Sequence, residues 1–250
     1  MIRVIAAKEL RLLFLSPLAW SLLGVLQLIL AWIFLVQLEQ FVQIQPRLAG
    51  LEGAPGLTDL VAAPILGSAG SLILLFMPLL AMRLFSDEFR NGTFSLLLSA
   101  PVSMTQIALG KYLGLLGFLA IALLLCLLMP LSLALGGNLD WGKLAAAFLG
   151  LTLMVAAFCA IVLWLSSLTS QPAVAAVASY GVLLFFWIIN LAAEGGGEAS
   201  ALFHWLSLQS HFVALGKGLV QSQDLAYYGL VILAFLLLAI RQLDNRRREA

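Results

Sequence analysis

Charged side chains cut this chain into long apolar runs, and the lengths of the runs decide what they can form. Residues 12–38 carry no charge over 27 positions, 60–82 none over 23, and 112–139 none over 28. A transmembrane helix needs about 20 predominantly apolar residues, so each run predicts one span. Residues 144–193 are uncharged over 50 positions, too many for one helix and right for two. The polar cluster 166–172, closed by Pro172, marks the break. The last run, 225–240, is short, about 24 Å at 1.5 Å per residue. Tyr227, Tyr228 and a snorkelling Arg241 lengthen its reach. The pattern therefore predicts an all-α polytopic membrane protein with spans at about 17–38, 61–82, 108–135, 144–166, 173–193 and 225–241. Together they form a single transmembrane domain over residues 1–250. Residues 199–216 are also uncharged, but His204, Gln209 and His211 interrupt them. They read as short helices at the membrane interface before the sixth span.

Six spans put both termini on one side. That side collects Arg3, Lys8, Arg11, Arg83, Arg90, Lys111, Arg241, Arg246, Arg247 and Arg248, against Arg47, Lys143 and Lys217 on the other. The bias is the positive-inside signature, and it places both termini in the cytoplasm. Composition agrees with a lipid solvent. Hydrophobic residues make up 63% of the chain and charged residues 10%, with a mean hydropathy of +1.08. Soluble domains run at roughly 45–50% and about 25%. The net charge of +1 supplies no field for nucleic acid or anionic substrates. The apolar run after Arg11 exceeds a cleavable signal segment of roughly 7–15 residues, so it is expected to be retained.

Catalytic chemistry is absent from the pattern, and no cofactor is implied. Cys126 and Cys159 lie in apolar runs without a CxxC or Cys/His set and read as apolar filler rather than metal ligands. Residues 137–143, Gly-Asn-Leu-Asp-Trp-Gly-Lys, match the start of a phosphate-binding loop. Leu144 stands where Ser or Thr should hold magnesium, so the segment reads as a turn between helices. The charge-free runs of the six spans contain no Asp, Glu, Lys, Arg or His, which argues against a proton- or sodium-driven carrier. Gln27, Gln37 and Asn190 are the main polar side chains at membrane depth. They read as helix-to-helix hydrogen bonds, with a pathway contact as the second reading. Gly110 and Gly114 form a GxxxG pair suited to close helix packing.

Two surface elements stand out. Arg3, Lys8 and Arg11 cluster on one arc of a helix, opposite Ile2, Ile5, Leu12 and Leu13. This predicts an N-terminal interfacial helix, although Glu9 falls among its apolar residues. Between the second and third spans, a helix continues inward through Asp87, Glu88 and Arg90. Asp87 and Arg90 are spaced to pair at i,i+3, Gly92 permits a break, and the apolar patch 96–98 ends at Pro101. Ser103 and Gln106 form a capping-box pattern that opens the next helix. Such an element suits receiving a push from a soluble partner, and its spacing fits an ordinary inner loop equally well.

The sequence resembles the type-2 permeases of ATP-binding-cassette exporters, most of all the subfamily associated with gliding motility. The matching residues are Lys8-Glu9-Leu10, Ser16-Pro17, Met82-Arg83-Leu84-Phe85, Glu88, Arg90, Gly92-Thr93 and Leu96-Leu97-Leu98. They continue with Pro101-Val102-Ser103, Gln106-Ile107 and Leu109-Gly110-Lys111. Leu206-Ser207-Leu208, His211-Phe212, Lys217-Gly218 and Asp224-Leu225 carry the subfamily likeness. Ser95 departs from the acidic residue expected after the Gly-Thr pair. The resemblance implies an interfacial N-terminal helix, a cytoplasmic coupling helix between spans two and three, and short outer helices before the sixth span. It also implies a multi-pass protein of the bacterial cytoplasmic (inner) membrane. A second permease subunit, as homodimer or heterodimer, and a separate cytoplasmic ATPase would complete the machine. On this reading Asp87, Glu88, Arg90, Gly92 and Thr93 contact the ATPase, which drives export of a substrate. The alternative is mechanical signalling to a periplasmic or cell-envelope partner without transport.

Overall fold

The computed structural model describes residues 1–48, 55–94, 102–194 and 200–249, and every regular element among them is helical. Helix α1 covers Ile2–Leu15. Ser16 adopts an extended backbone, φ −81° and ψ 119°, and turns the chain into α2, Pro17–Leu48. Proline suits a first helical position because the N–H it lacks would have no partner there. A π-helical turn at Thr58–Ala62 leads into α3, Ala63–Ala81. The chain re-forms after Met82 as α4, Arg83–Arg90. Helix α5 is Met104–Ser132, followed by a 3₁₀ turn at Leu133–Leu135. Helix α6 is Trp141–Leu168 and α7 is Pro172–Glu194. The short helices α8, Ser200–Leu206, and α9, Leu208–Gly216, precede α10, Ser222–Glu249.

Six segments are long and apolar enough to cross a membrane: Pro17–Arg47, Thr58–Arg90, Met104–Leu135, Trp141–Leu168, Pro172–Leu191 and Ser222–Arg248. The six-span architecture expected from the charge pattern is the one the chain adopts. Burial is unequal among them. In its most apolar stretch α6 is 78% buried and α2 only 17%, so α6 is the axis of the bundle and α2 its outer wall. Gly150, Ala156, Ala157 and Ala160 on α6 let neighbouring backbones approach closely, which is how helices associate where lipid removes the hydrophobic drive. The first helix also runs past its expected end at residue 38, to Leu48. Its 32 residues measure about 48 Å against a hydrocarbon core of about 30 Å. Residues 42–47 are exposed all round, an overhang beyond the bundle.

Both ends of the bundle can be followed from contacts. At one end α1 lies against the start of α5. The Arg246 guanidinium of α10 donates to the Leu168 carbonyl at 2.8 Å and sits 4.2 Å from the Phe89 ring centre. Both termini, α4 and the α6–α7 turn therefore share one end. At the far end Lys143 pairs with Asp59 at 2.9 Å, and Asp140 caps α6 by accepting from the Lys143 backbone N–H at 3.0 Å. The loop-like segment 137–143 is thus a turn between helices. The residues before the sixth span form the two short helices expected of them, and the second is packed into the bundle. Leu208, Phe212 and Leu215 of α9 are buried. A Cβ on Gly67 would lie 3.3 Å from the Phe212 ring, and one on Gly150 2.9 Å from Leu215. Two glycines, on α3 and α6, open the notch that admits α9 into the bundle.

Candidate functional site

The end that carries both termini gathers most of the residues singled out by sequence, around a buried cation. Lys111 is 1% exposed. The charge count assigned it to the side of the termini and said nothing of its burial. Its ammonium has three N–H donors and all three are used: Glu9 Oε1 at 2.9 Å, Glu88 Oε1 at 2.9 Å and the Leu84 carbonyl at 2.6 Å. The Phe85 ring centre lies 5.1 Å away. Burying ions carries a desolvation penalty of several kcal/mol each, offset only when geometry and hydrogen bonding are complete. Here the cation's bonding is complete. Helices α1, α4 and α5 meet at one atom.

The GxxxG pair explains how α1 comes so close. A Cβ at Gly110 would lie 2.7 Å from the Ile5 side chain and 3.2 Å from the Ile2 carbonyl. One at Gly114 would lie 2.7 Å from Glu9 Cβ and 3.0 Å from the Ala6 carbonyl. The glycines flank Lys111 and bring the α1 backbone onto α5, which delivers Glu9 to the ammonium. The one residue that spoiled the amphipathic pattern of α1 is therefore its buried ionic contact. Lys8, half exposed, stands 3.4 Å from Glu88 Oε1 and 3.6 Å from Glu9 Oε1.

Helix α4 is fastened on a second side. Its first N–H groups have no partner within the helix, and Ser166 of α6 supplies one. The Ser166 hydroxyl accepts from the Phe85 N–H at 3.1 Å and the Ser86 N–H at 3.4 Å, and it donates to the Met82 carbonyl at 3.3 Å. The Ser86 hydroxyl donates back to the Ser166 carbonyl at 3.2 Å. Phe89 stacks on Phe85 and meets Phe94 edge-on, with centroids 6.0 and 4.8 Å apart. The element is welded to α6 and α10 through its inner face.

The five coupling candidates separate on this scaffold. Glu88 points inward to Lys111. Arg90 faces outward, its side chain 61% exposed, and pairs at 3.2 Å with the partly buried Asp87 in the expected i,i+3 arrangement. Gly92 takes φ +68°, a left-handed conformation that favours glycine. The Thr93 hydroxyl donates to the Glu88 carbonyl at 3.4 Å. Ser103 and Gln106 form the expected capping box. The apolar patch 96–98, Ser95 and Pro101 lie outside the described residues. The polar side chains at membrane depth are scattered. Gln27 donates from α2 to the Ala122 carbonyl of α5 at 3.3 Å. The Asn190 Oδ1 accepts from Ser207 and Ser210, each at 3.1 Å. The Gln37 Oε1 is buried without a hydrogen-bond partner among the described residues.

The far end holds a second buried pair that sequence spacing did not reveal. His211 Nδ1 and Asp224 Oδ1 are 2.6 Å apart, and His211 Nε2 is 3.0 Å from the Trp205 carbonyl. A carbonyl only accepts, so Nε2 carries a proton and a further proton lies between His211 and Asp224. Tyr227 stacks on the imidazole at 4.1 Å. The Tyr227 and Tyr228 hydroxyls donate to the Leu206 and Leu208 carbonyls at 2.6 and 2.7 Å. This cluster pins α8 and α9 to α10. Among the described residues no three His, Cys, Asp or Glu side chains come together as a metal-binding set.

Residues 3–246 match the model of a family described as ABC-2 family transporter protein. A protein of Pseudomonas aeruginosa named "Probable ABC transporter permease protein NosY" is 32% identical over 184 residues, 64% of each chain. A protein of the same name from Stutzerimonas stutzeri is 32% identical over 152 residues, 56% of this chain and 54% of that one. The matched region thus spans less than two thirds of the length of either relative.

Proposed function

The chain belongs to the ABC-2 transporter family, and from that premise we propose that it is the membrane permease of an ATP-driven exporter. A separate cytoplasmic ATPase supplies the energy, and a second permease subunit completes the path. The termini and α4 face the cytoplasm, in keeping with the ten-to-three distribution of basic residues. The protein resides in the cytoplasmic membrane. The narrower kinship with gliding-motility permeases rests on the residues around His211-Phe212. Both relatives are named as permeases, which favours export over mechanical signalling.

The observation that carries this reading is the division of labour on α4. Arg90 presents an exposed charge on the outer face of α4, paired with the partly buried Asp87. Glu88 and Ser86 hold the other face to Lys111 and Ser166. A push on the exposed face reaches α1 and α5 through the ammonium and α6 through the serine. Gly92 and Thr93 shape the turn that follows. Interiors are close-packed and transmit displacement rather than absorbing it.

Arg90→Glu tests the proposal, because it reverses an exposed charge without touching the buried network. Membrane insertion and thermal stability should match the wild type, while co-purification of the partner ATPase and its stimulated hydrolysis fall about tenfold, as for a lost interfacial charge contact of 1.4 kcal/mol. Undiminished coupling in both Arg90→Glu and Asp87→Arg would overturn the assignment of this face.

A further inference from the structure

We propose that a cavity at the termini end holds the head group of a phospholipid bearing a primary ammonium, taken from the adjoining leaflet. The cavity has a volume of about 300 Å³, within the range of roughly 300–1,000 Å³ typical of ligand sites and near its lower limit. It lies between two elbows, where α1 turns into α2 at Ser16 and α3 turns into α4 at Met82. Its lining combines leucines, among them Leu12, Leu18 and Leu80, with the charged side chains of Arg83, Asp87 and Glu88. An interfacial helix such as α1 sits at head-group level, so the cavity opens at the depth where a lipid changes from charged to apolar.

The polar chemistry selects the head group. Lys111 also lines the cavity, but its three donors are spent. Glu88 Oε1 receives Lys111, and Lys8 stands nearby. Glu88 Oε2 is buried and has no hydrogen-bond partner among the described residues. An ionised oxygen withdrawn from water demands a donor. A primary ammonium supplies up to three; a quaternary ammonium of the same charge supplies none. Arg83 provides for the phosphate. Its side chain is 59% exposed and its carboxylate contact, Asp87, is loose at 3.9 Å, which leaves guanidinium N–H groups free to bond a phosphate in the geometry they match best. The leucines take the glycerol and the first methylenes. The lining thus offers a carboxylate for the ammonium, a guanidinium for the phosphate and an apolar wall for the chain of a zwitterionic lipid. The site does not depend on the transport reading, because lipid retention needs no ATPase.

The test uses the full chain in nanodiscs of equal ethanolamine- and choline-headed phospholipid, stripped with mild detergent, with retained lipid quantified by mass spectrometry. The ethanolamine lipid should be enriched about tenfold over the bulk ratio, the selectivity of one charge-assisted hydrogen bond. Leu12→Trp starts from an exposed position and fills the cavity without altering a charge; it should return the ratio to parity. Glu88→Gln should do the same, and if it fails to fold, Leu12→Trp alone decides. Equal retention of the two lipids by the wild type, as expected if water alone satisfies Glu88, overturns the proposal. So does an enrichment that survives Leu12→Trp.

Discussion

Each end of the bundle buries a close polar pair, Lys111 with its two carboxylates at one and His211 with Asp224 at the other, and the two are built for different work. At the far end, His211 and Asp224 are 13 residues apart and close a local loop, with two tyrosine hydroxyls tying the same loop to backbone carbonyls. Every partner belongs to α8, α9 or the first turns of α10. At the termini end, Lys111 joins residues 102 and 23 positions away, on three different helices. One cluster makes a short segment rigid. The other makes distant segments move together. The lesson is that buried charge in a membrane protein need not mark a transport path: what it does depends on the sequence distance its bonds span.

Removing the hub should give the largest effect. Lys111→Met leaves Glu9 and Glu88 facing each other in a buried site, and breaking a buried pair from one side costs about 3–5 kcal/mol. A large fall in the unfolding temperature of the detergent-solubilised protein is expected. Adding Glu9→Gln should recover part of it, because one stranded charge is then gone. If Lys111→Met alone were neutral, Lys111 would be no hub and the contrast between the ends would fail.

The glycine groove comes next. Gly114→Leu forces its side chain into Glu9 and the α1 backbone, an overpacking that costs about 1–3 kcal/mol. Gly181 on α7 has nothing within 4 Å of its Cβ position, and Gly181→Leu should leave stability unchanged. A disulfide cross-link between cysteines placed on α1 and α5 should become slower to form in Gly114→Leu only.

Asp224→Ala probes the far end. It leaves His211 Nδ1 buried without its partner, worth about 1–3 kcal/mol, less than the hub because imidazole can remain neutral. Stability should fall while stimulation of the ATPase per folded molecule stays at the wild-type level. A marked loss of that stimulation in Asp224→Ala would erase the functional difference between the two ends.

The sequence carried the helices more plainly than their joints. Span number follows from charge-free runs, because lipid excludes charge from those runs and helix length from anything much shorter. The capping box and the Asp87–Arg90 pair were equally legible, since both depend on spacing within one helix. The hub was not. Lys111 ends a charge-free run and so looks like an ordinary boundary residue, and Glu9 looks like a flaw in an amphipathic face. Their pairing is a long-range fact that no local period encodes. The signal that existed was Gly110 and Gly114 on either side of Lys111: a close-packing motif wrapped around a cation announces that whatever packs there brings a carboxylate. The α9 notch was hidden similarly, since Gly67 and Gly150 are unremarkable until Phe212 and Leu215 stand against them.

The smallest effect separates the hub from its rim. Lys8 lies within 3.6 Å of both carboxylates that Lys111 holds, so on distance alone it looks like a second hub. Its side chain, however, is 53% exposed, and water and salt screen what it adds; exposed pairs contribute about 0.2–1 kcal/mol. Lys8→Ala should therefore shift the unfolding temperature slightly, and the shift should shrink further as salt is raised. The Lys111→Met effect should persist in the same salt series, because a buried pair is screened far less. Equal salt sensitivity in the two variants would mean that water reaches Lys111, and the termini end would then be held by surface charge rather than by a dry joint.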